Sequence, residues 1–110
     1  EQALDLNEYL IRNENATFIV KANSLSMLDA GIDIDDPLIV DRSIPAKSGD
    51  IVIALIDNDF TVKRLMIDTQ FQPPKVWLKA ENPDYQNIYI EEGQELVIWG
   101  VVTYNLKRMR

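Results

Sequence analysis

The chain has 110 residues, 46% of them hydrophobic and 26% charged, a composition typical of one globular domain with its own core. Eighteen acidic residues against 11 basic ones give a net charge of -7, which argues against a broad basic surface that would bind nucleic acid directly. Histidine and cysteine are both absent, which excludes a Ser-His-Asp triad, a thiol nucleophile, disulfides and histidine- or thiolate-held metals, and leaves hydroxyl, lysine and carboxylate chemistry.

The first part of the chain predicts one short helix, two strands and a loop between them. Asp5 and Glu8 have the spacing of a helix capping box, which predicts one or two helical turns after Asp5. β-Branched and aromatic residues predict a strand over residues 17–21, and a second short strand is predicted over 38–41. Residues 22–36 show no sustained periodicity, so they are predicted to form an irregular loop.

The second part of the chain predicts a hairpin and three further strands. Residues 50–56 and 60–67 alternate in polarity on either side of an Asp-Asn-Asp turn, which is the clearest hairpin signal in the sequence. The three further strands are predicted over 76–80, 88–90 and 95–106. Gly100 is expected to break the last strand. Seven strands with little helix predict a mainly β fold in a single domain of residues 1–110, and no apolar run is long enough to cross a membrane.

Lys63, in the second strand of the hairpin, is a candidate general base. Alternation places Lys63 on the same face as Thr61 and Leu65, with Arg64 on the opposite face. If the face of Lys63 is buried, loss of solvation lowers the pKa of its ammonium group and makes it a base. Because only one of Lys63 and Arg64 is expected to point inward, alternation by itself favours an exposed Lys63 whose stem lies over the sheet.

The loop that follows the first strand contains two further candidates. Ser24 and Ser26 lie where a serine hydroxyl can be exposed beside backbone N–H groups that form an oxyanion hole, although serine in a loop is more often an ordinary turn residue. Four aspartates of the same loop resemble a hard-cation site. They are Asp29, Asp33, Asp35 and Asp36. Their spacing is not that of a calcium-binding loop, which favours a solvated acidic segment.

Four blocks of the sequence occur in the order and at the spacing of a known family. The blocks are residues 18–32 with Ser-Leu-Ser-Met at their centre, 38–41, 49–54, and 60–65 with the sequence Phe-Thr-Val-Lys-Arg-Leu. Together they resemble the UmuD/LexA-type self-cleaving serine peptidases, and the resemblance covers nearly the whole chain. The ending Lys107-Arg-Met-Arg110 is more similar to UmuD-type members than to LexA repressors. The resemblance implies short, strongly bent sheets with one short N-terminal helix.

The resemblance also implies which residues form the active site. Ser26, which precedes a methionine, falls on the family nucleophile, and Lys63 falls on the general base. The backbone N–H groups of Leu25 and Ser26 fall on the oxyanion hole, and no metal or other cofactor is implied. Relatives commonly have glycine where this chain has Ser24 and Asp35. A non-glycine residue at either place implies an unusual φ angle or an altered oxyanion hole, and thus a lowered activity.

The biological role that the resemblance implies is a response to DNA damage. Members of the family cut their own N-terminal arm when a RecA filament on single-stranded DNA stimulates them, and this sequence is expected to be the core that remains after cleavage. The processed form is expected to be a cytoplasmic homodimer that joins a UmuC-type translesion polymerase in the SOS response. One alternative is the autocleavage and dimerisation domain of a LexA-like or phage-type repressor. Another is a β-rich interaction module with an inactive dyad.

Overall fold

A computed structural model of the chain describes residues 2–110 and shows seven antiparallel strands joined in one sheet. The strands are β1 (Thr17–Lys21), β2 (Pro37–Asp41), β3 (Ile51–Ile56), β4 (Asp59–Asp68), β5 (Lys75–Lys79), β6 (Ile88–Tyr89) and β7 (Leu96–Asn105). Their order across the sheet is β1-β2-β7-β3-β4-β5-β6. The prediction of a mainly β fold of the LexA/UmuD type is confirmed.

A short α-helix, α1 (Leu6–Leu10), precedes the sheet and is the one α-helix within the described residues. The carboxylate of Asp5 accepts hydrogen bonds from the backbone N–H groups of Asn7 at 2.9 Å and Glu8 at 3.4 Å. These two donors have no partner inside the helix, so the cap explains why the helix begins here. No helix among residues 2–110 is long and apolar enough to cross a membrane.

Strand β7 lies inside the sheet, between β2 and β3. The prediction that Gly100 breaks this strand is wrong, because β7 runs without interruption from Leu96 to Asn105. The irregularity is instead a β-bulge opposite β3, where the pairing shifts between Ile53 and the next residue and leaves Trp99 as an extra residue. Gly100 is required beside the bulge, since a Cβ atom there would lie 2.6 Å from a methyl group of Val40.

Two clusters of buried hydrophobic residues stabilise the sheet. The first contains Ala22, Met27, Ile32, Leu38, Val40 and Ile53. The second contains Val52, Ala54, Leu65, Leu78 and Val101. Met27 and Ile32 belong to the loop between β1 and β2, and both are at most 3% exposed. Their burial anchors this loop on the sheet and fixes the segment that contains Ser26.

Candidate active site

Ser26 and Lys63 are in direct contact although they lie 37 residues apart in the chain. The Nζ atom of Lys63 is 2.9 Å from the Oγ atom of Ser26. Ser26 belongs to the loop between β1 and β2, and Lys63 lies in β4, where it pairs with Val52 of β3. Both residues are buried, with exposed fractions of 2% for Ser26 and 7% for Lys63. The loop and the strand thus place a hydroxyl and an amine in a shared, buried site.

The interpretation of Lys63 as an exposed lysine, which alternation by itself favoured, is wrong. The loop that contains Ser26 lies against the middle of β4 and covers the Lys63 side chain. Arg64, the next residue, is the more exposed of the two, with 29% of its side chain accessible. Its guanidinium group binds Glu81 at 2.9 Å and the carbonyl oxygen of Gly49 at 2.6 Å. Alternation along one strand cannot reveal that a distant loop covers the lysine.

The surroundings of Lys63 favour a neutral amine. Burial lowers the pKa of Lys63 below its ordinary value of 10.5, because desolvation penalises the charged form. No ion pair within residues 2–110 involves Lys63. Its Nζ atom donates to Oγ1 of Thr61 at 2.6 Å and to the carbonyl oxygen of Val62 at 3.2 Å. A neutral amine has two donors and one lone pair, so the lone pair is left to accept the hydroxyl proton of Ser26.

The loop that contains Ser26 is also tied to the segment that follows β5. The backbone N–H of Glu81 donates to the carbonyl oxygen of Ser26 at 2.9 Å, and Asp29 donates back to the carbonyl oxygen of Glu81 at 2.8 Å. The side-chain Nδ2 of Asn82 donates to the carbonyl oxygen of Leu25 at 2.8 Å. Thr61 and Asn82 are therefore part of the site, although the sequence singled out neither. Thr61 lies inside the family block of residues 60–65, whereas Asn82 lies outside all four blocks.

Ser24 and Asp35, the two positions where relatives commonly have glycine, behave differently. Asp35 has a φ angle of 67°, so the expected unusual backbone conformation is confirmed there. Ser24 is not among the residues with positive φ, so of the two expected effects the unusual φ angle is not found at that position. Its Oγ instead accepts the backbone N–H of Ser26 at 3.1 Å and donates to the hydroxyl oxygen of Ser26 at 3.0 Å. The Ser24 hydroxyl thus accepts a hydrogen bond from one of the two N–H groups that are expected to form the oxyanion hole.

The acidic loop contributes a structural contact between the active-site loop and the end of the chain. The carboxylate of Asp36 accepts hydrogen bonds from Lys107 at 2.8 Å, from Asn105 at 2.9 Å and from the backbone N–H of Asp33 at 2.8 Å. The hydrogen bond from Lys107 contributes most to lowering the pKa of Asp36 from 3.8 to about 2. Throughout the part of the chain that the structure describes, no three acidic residues are grouped to hold a metal ion.

An apolar pocket of about 280 Å³ adjoins the site. Thr61 and Val62, which both contact the amine of Lys63, line the pocket together with Asn23 from the loop of Ser26. The aromatic rings of Phe60 and Trp99 form another part of the wall. A peptide chain that passes Ser26 could place an apolar side chain in this pocket.

Comparison with known proteins identifies the family. The sequence matches the family described as Peptidase S24-like over residues 1–103. Protein MucA of Salmonella typhimurium is 43% identical over 107 residues, covering 96% of this chain and 70% of that protein. Protein ImpA of Shigella flexneri is 42% identical over 110 residues, covering 100% and 72%. The LexA repressor of Paraburkholderia xenovorans is 45% identical over 85 residues, covering 76% of this chain and 38% of the repressor.

The mainly β fold and the family match define a self-cleaving serine peptidase by class, and the chain belongs to the Peptidase S24-like family. Within this family it is UmuD-like, because its similarity to MucA and ImpA extends over almost the entire chain. The resemblance inferred from the sequence blocks is confirmed.

Proposed function

We propose that Ser26 and Lys63 form the catalytic dyad of this peptidase, with Ser26 as the nucleophile and Lys63 as the general base. The observation that carries the proposal is the 2.9 Å contact between the buried amine of Lys63 and the Ser26 hydroxyl. The burial of Lys63 supports it, because desolvation lowers the pKa of the amine and makes the neutral form available at a lower pH than in an exposed lysine. The absence of histidine from the sequence agrees with a lysine in this role.

The reaction proceeds through an acyl-enzyme. Lys63 takes the hydroxyl proton of Ser26 while Oγ attacks the scissile carbonyl carbon, and the backbone N–H groups of Leu25 and Ser26 donate to the resulting oxyanion. Lys63 then delivers the proton to the leaving amine, and the peptide bond breaks. In the second half, Lys63 takes a proton from water while the water oxygen attacks the ester that joins the acyl group to Ser26. Lys63 then returns this proton to Oγ as the ester bond breaks, which frees the Ser26 hydroxyl and leaves a carboxylic acid that loses its proton to solvent.

The apolar pocket next to the dyad supports a peptide substrate with an apolar side chain close to the cleaved bond. Thr61 and Val62 line the pocket and contact Lys63, so a side chain bound there would hold the neighbouring carbonyl group near Ser26. The aromatic walls from Phe60 and Trp99 favour a large apolar group.

The biological role we infer is that of a UmuD-type mutagenesis protein. In this role a RecA filament on single-stranded DNA stimulates self-cleavage, and the product is a cytoplasmic homodimer that joins a UmuC-type translesion polymerase. Similarity to MucA and ImpA over 96% and 100% of the chain supports this role over that of a repressor, because the LexA match covers 76%. The net charge of -7 supports a subunit that leaves DNA contact to its partner.

A fluorophosphonate probe tests the dyad without a peptide substrate, because it reacts with an activated serine. Mass spectrometry should locate the label on Ser26 in the 110-residue chain, and Ser26→Ala should prevent labelling. Lys63→Met, which keeps the buried stem and removes the amine, should slow labelling by at least about 10³-fold. Lys47→Met is the matched control, since Lys47 is exposed, and its labelling rate should not change.

Two results would contradict the proposal. The first is labelling of Lys63→Met at the normal rate, and the second is a label that is found on Ser24 instead of Ser26. The natural full-length gene product then tests the biological role. Intact mass should show self-cleavage that RecA filaments accelerate near neutral pH and that Ser26→Ala abolishes. A full-length product that stays intact with RecA present, even though Ser26 is labelled by the probe, would contradict the UmuD-type role.

A further inference from the structure

The peptide group between Leu25 and Ser26 is held by a side chain at each of its two ends. Its carbonyl oxygen, on Leu25, accepts a hydrogen bond from Nδ2 of Asn82 at 2.8 Å and a longer one from the backbone N–H of Leu28 at 3.2 Å, so Asn82 is the shorter of its two contacts. Its N–H, on Ser26, donates to Oγ of Ser24 at 3.1 Å. A trans peptide group is planar, and its C=O and N–H point in opposite directions. Fixing the carbonyl end therefore also fixes the direction in which the N–H of Ser26 points.

The Ser24 hydroxyl shows where an oxygen ligand of this N–H lies. Its Oγ atom is 3.1 Å from the backbone nitrogen of Ser26 and 3.0 Å from the Ser26 hydroxyl oxygen. Oxyanion donors act at about 2.7–3.1 Å from the oxygen that develops negative charge next to the attacked carbon. The N–H of Ser26 is thus aimed at a point beside the nucleophile where such an oxygen would form.

Asn82 is itself held in the orientation that this contact needs. Its Oδ1 accepts the backbone N–H of Asp84 at 3.0 Å, which leaves Nδ2 to face Leu25. Its backbone carbonyl accepts the N–H of Tyr85 at 3.0 Å, and the preceding residue, Glu81, donates to the carbonyl oxygen of Ser26. The turn around Asn82 is therefore a fixed support from which the side chain reaches the nucleophile loop.

We propose that Asn82 is a positioning residue of the oxyanion hole. Its amide holds the Leu25–Ser26 peptide so that the Ser26 N–H donates to the oxyanion, and a hydrogen bond at the carbonyl end also polarises the peptide and strengthens that donor. Asn82 acts through the backbone of Leu25 and forms no hydrogen bond with the Ser26 hydroxyl or the Lys63 amine. The inference rests on the proposed function, because it needs Ser26 to be the nucleophile.

Asn82→Asp is the sharpest test, because aspartate keeps the acceptor for Asp84 and loses only the donor to Leu25. Asn87→Asp is the matched control, since Asn87 lies in the same loop and, among residues 2–110, its side chain forms one hydrogen bond, in which Oδ1 accepts the backbone N–H of Ala80. Both variants add one negative charge to the same segment. Asn82→Ala removes the donor without adding a charge, and it serves if Asn82→Asp fails to fold.

The readout is the rate of self-cleavage of the full-length gene product between pH 7 and 10.5. Removing an oxyanion donor outright costs about 10²–10³-fold, and misaiming one is expected to cost about 10–100-fold at the high-pH plateau. Asn82→Ala should keep the wild-type midpoint of the pH profile, because Lys63 is untouched. Asn87→Asp should keep the plateau rate within about twofold.

The remaining outcomes would contradict either the role of Asn82 or the proposed function. Plateau rates of Asn82→Asp and Asn82→Ala within twofold of wild type would overturn the inference while leaving the dyad in place. A shifted midpoint in Asn82→Ala would also overturn it, because Asn82 would then act through Lys63. If neither the wild type nor Asn87→Asp cleaves itself, the result would instead contradict the proposed function.

Discussion

Replacing Thr61 with valine should raise the rate of Ser26 labelling near pH 7.5 relative to the rate at the high-pH plateau. Oγ1 of Thr61 accepts a hydrogen bond from Lys63 at 2.6 Å and is one of three oxygen atoms around the amine, with the Val62 carbonyl and the Ser26 hydroxyl. A hydrogen bond to a charged group is worth about 1.5–3 kcal/mol, and one between neutral groups about 0.5–1.5 kcal/mol. Valine keeps the shape of threonine and removes the acceptor, so the ammonium form loses about 1 kcal/mol more than the neutral form.

This difference lowers the pKa of Lys63 further. At pH values well below that pKa, the fraction of Lys63 that is neutral rises about fivefold. The assay is the rate of fluorophosphonate labelling of Ser26 from pH 7 to 10.5, with the rate at pH 7.5 divided by the plateau rate. The ratio should rise about fivefold in Thr61→Val and stay unchanged in Thr69→Val, where the threonine is exposed. A ratio that stays constant or falls in Thr61→Val would refute the reasoning, because Thr61 would then not stabilise the charged lysine.

Three further predictions concern the loop that contains the nucleophile. Ser24→Ala should label with the probe about 2–10-fold faster, because it frees the N–H of Ser26 from a competing hydroxyl, and a slower rate would contradict this role. Asp35→Gly should raise the free energy of unfolding in urea by about 0.5–1 kcal/mol, since glycine adopts the φ of 67° without strain; a decrease would contradict this. Lys107→Met should lower the free energy of unfolding at neutral pH. Because the pKa of Asp36 is lowered from 3.8 to about 2, its pairing with Lys107 stabilises the fold above pH 3.8, and this stabilisation disappears as the pH falls towards 2. The difference in free energy of unfolding between wild type and Lys107→Met should therefore shrink over that range, and a difference that does not change with pH would contradict the pairing.

Local patterns in the sequence predicted most of the secondary structure. The predicted strand over 17–21 coincides with β1, and the hairpin predicted over 50–56 and 60–67 is β3 and β4, which begin or end one residue away. The acceptor role of Asp5 at the helix start was also predicted correctly. Caps, alternation and turns depend on residues a few positions apart, so a single sequence contains the information that they need.

Contacts between distant segments could not be predicted in the same way. The burial of Lys63 depends on a loop that is distant in the chain, and alternation within β4 therefore gave the wrong exposure. Asn82 reaches Leu25 across 57 residues, and its role depends on the exact direction of one side chain. The bulge at Trp99 depends on how β7 pairs with β3. Gly100 therefore indicated where the strand is irregular, but the irregularity is a bulge and not a break. Family resemblance predicted that Ser26 and Lys63 belong to one site, because members of a family share the whole fold and not only local patterns.

The central claim is that a neutral Lys63 activates Ser26, and one measurement on the 110-residue chain tests it most directly. NMR of the side-chain nitrogen of Lys63 gives the pH at which this amine loses its proton, and the labelling rate of Ser26 gives the pH at which activity reaches half its plateau. The two midpoints should coincide, and both should lie below 10.5, the ordinary pKa of lysine. A Lys63 that loses its proton at or above pH 10.5, or labelling that follows a different midpoint, would contradict the claim.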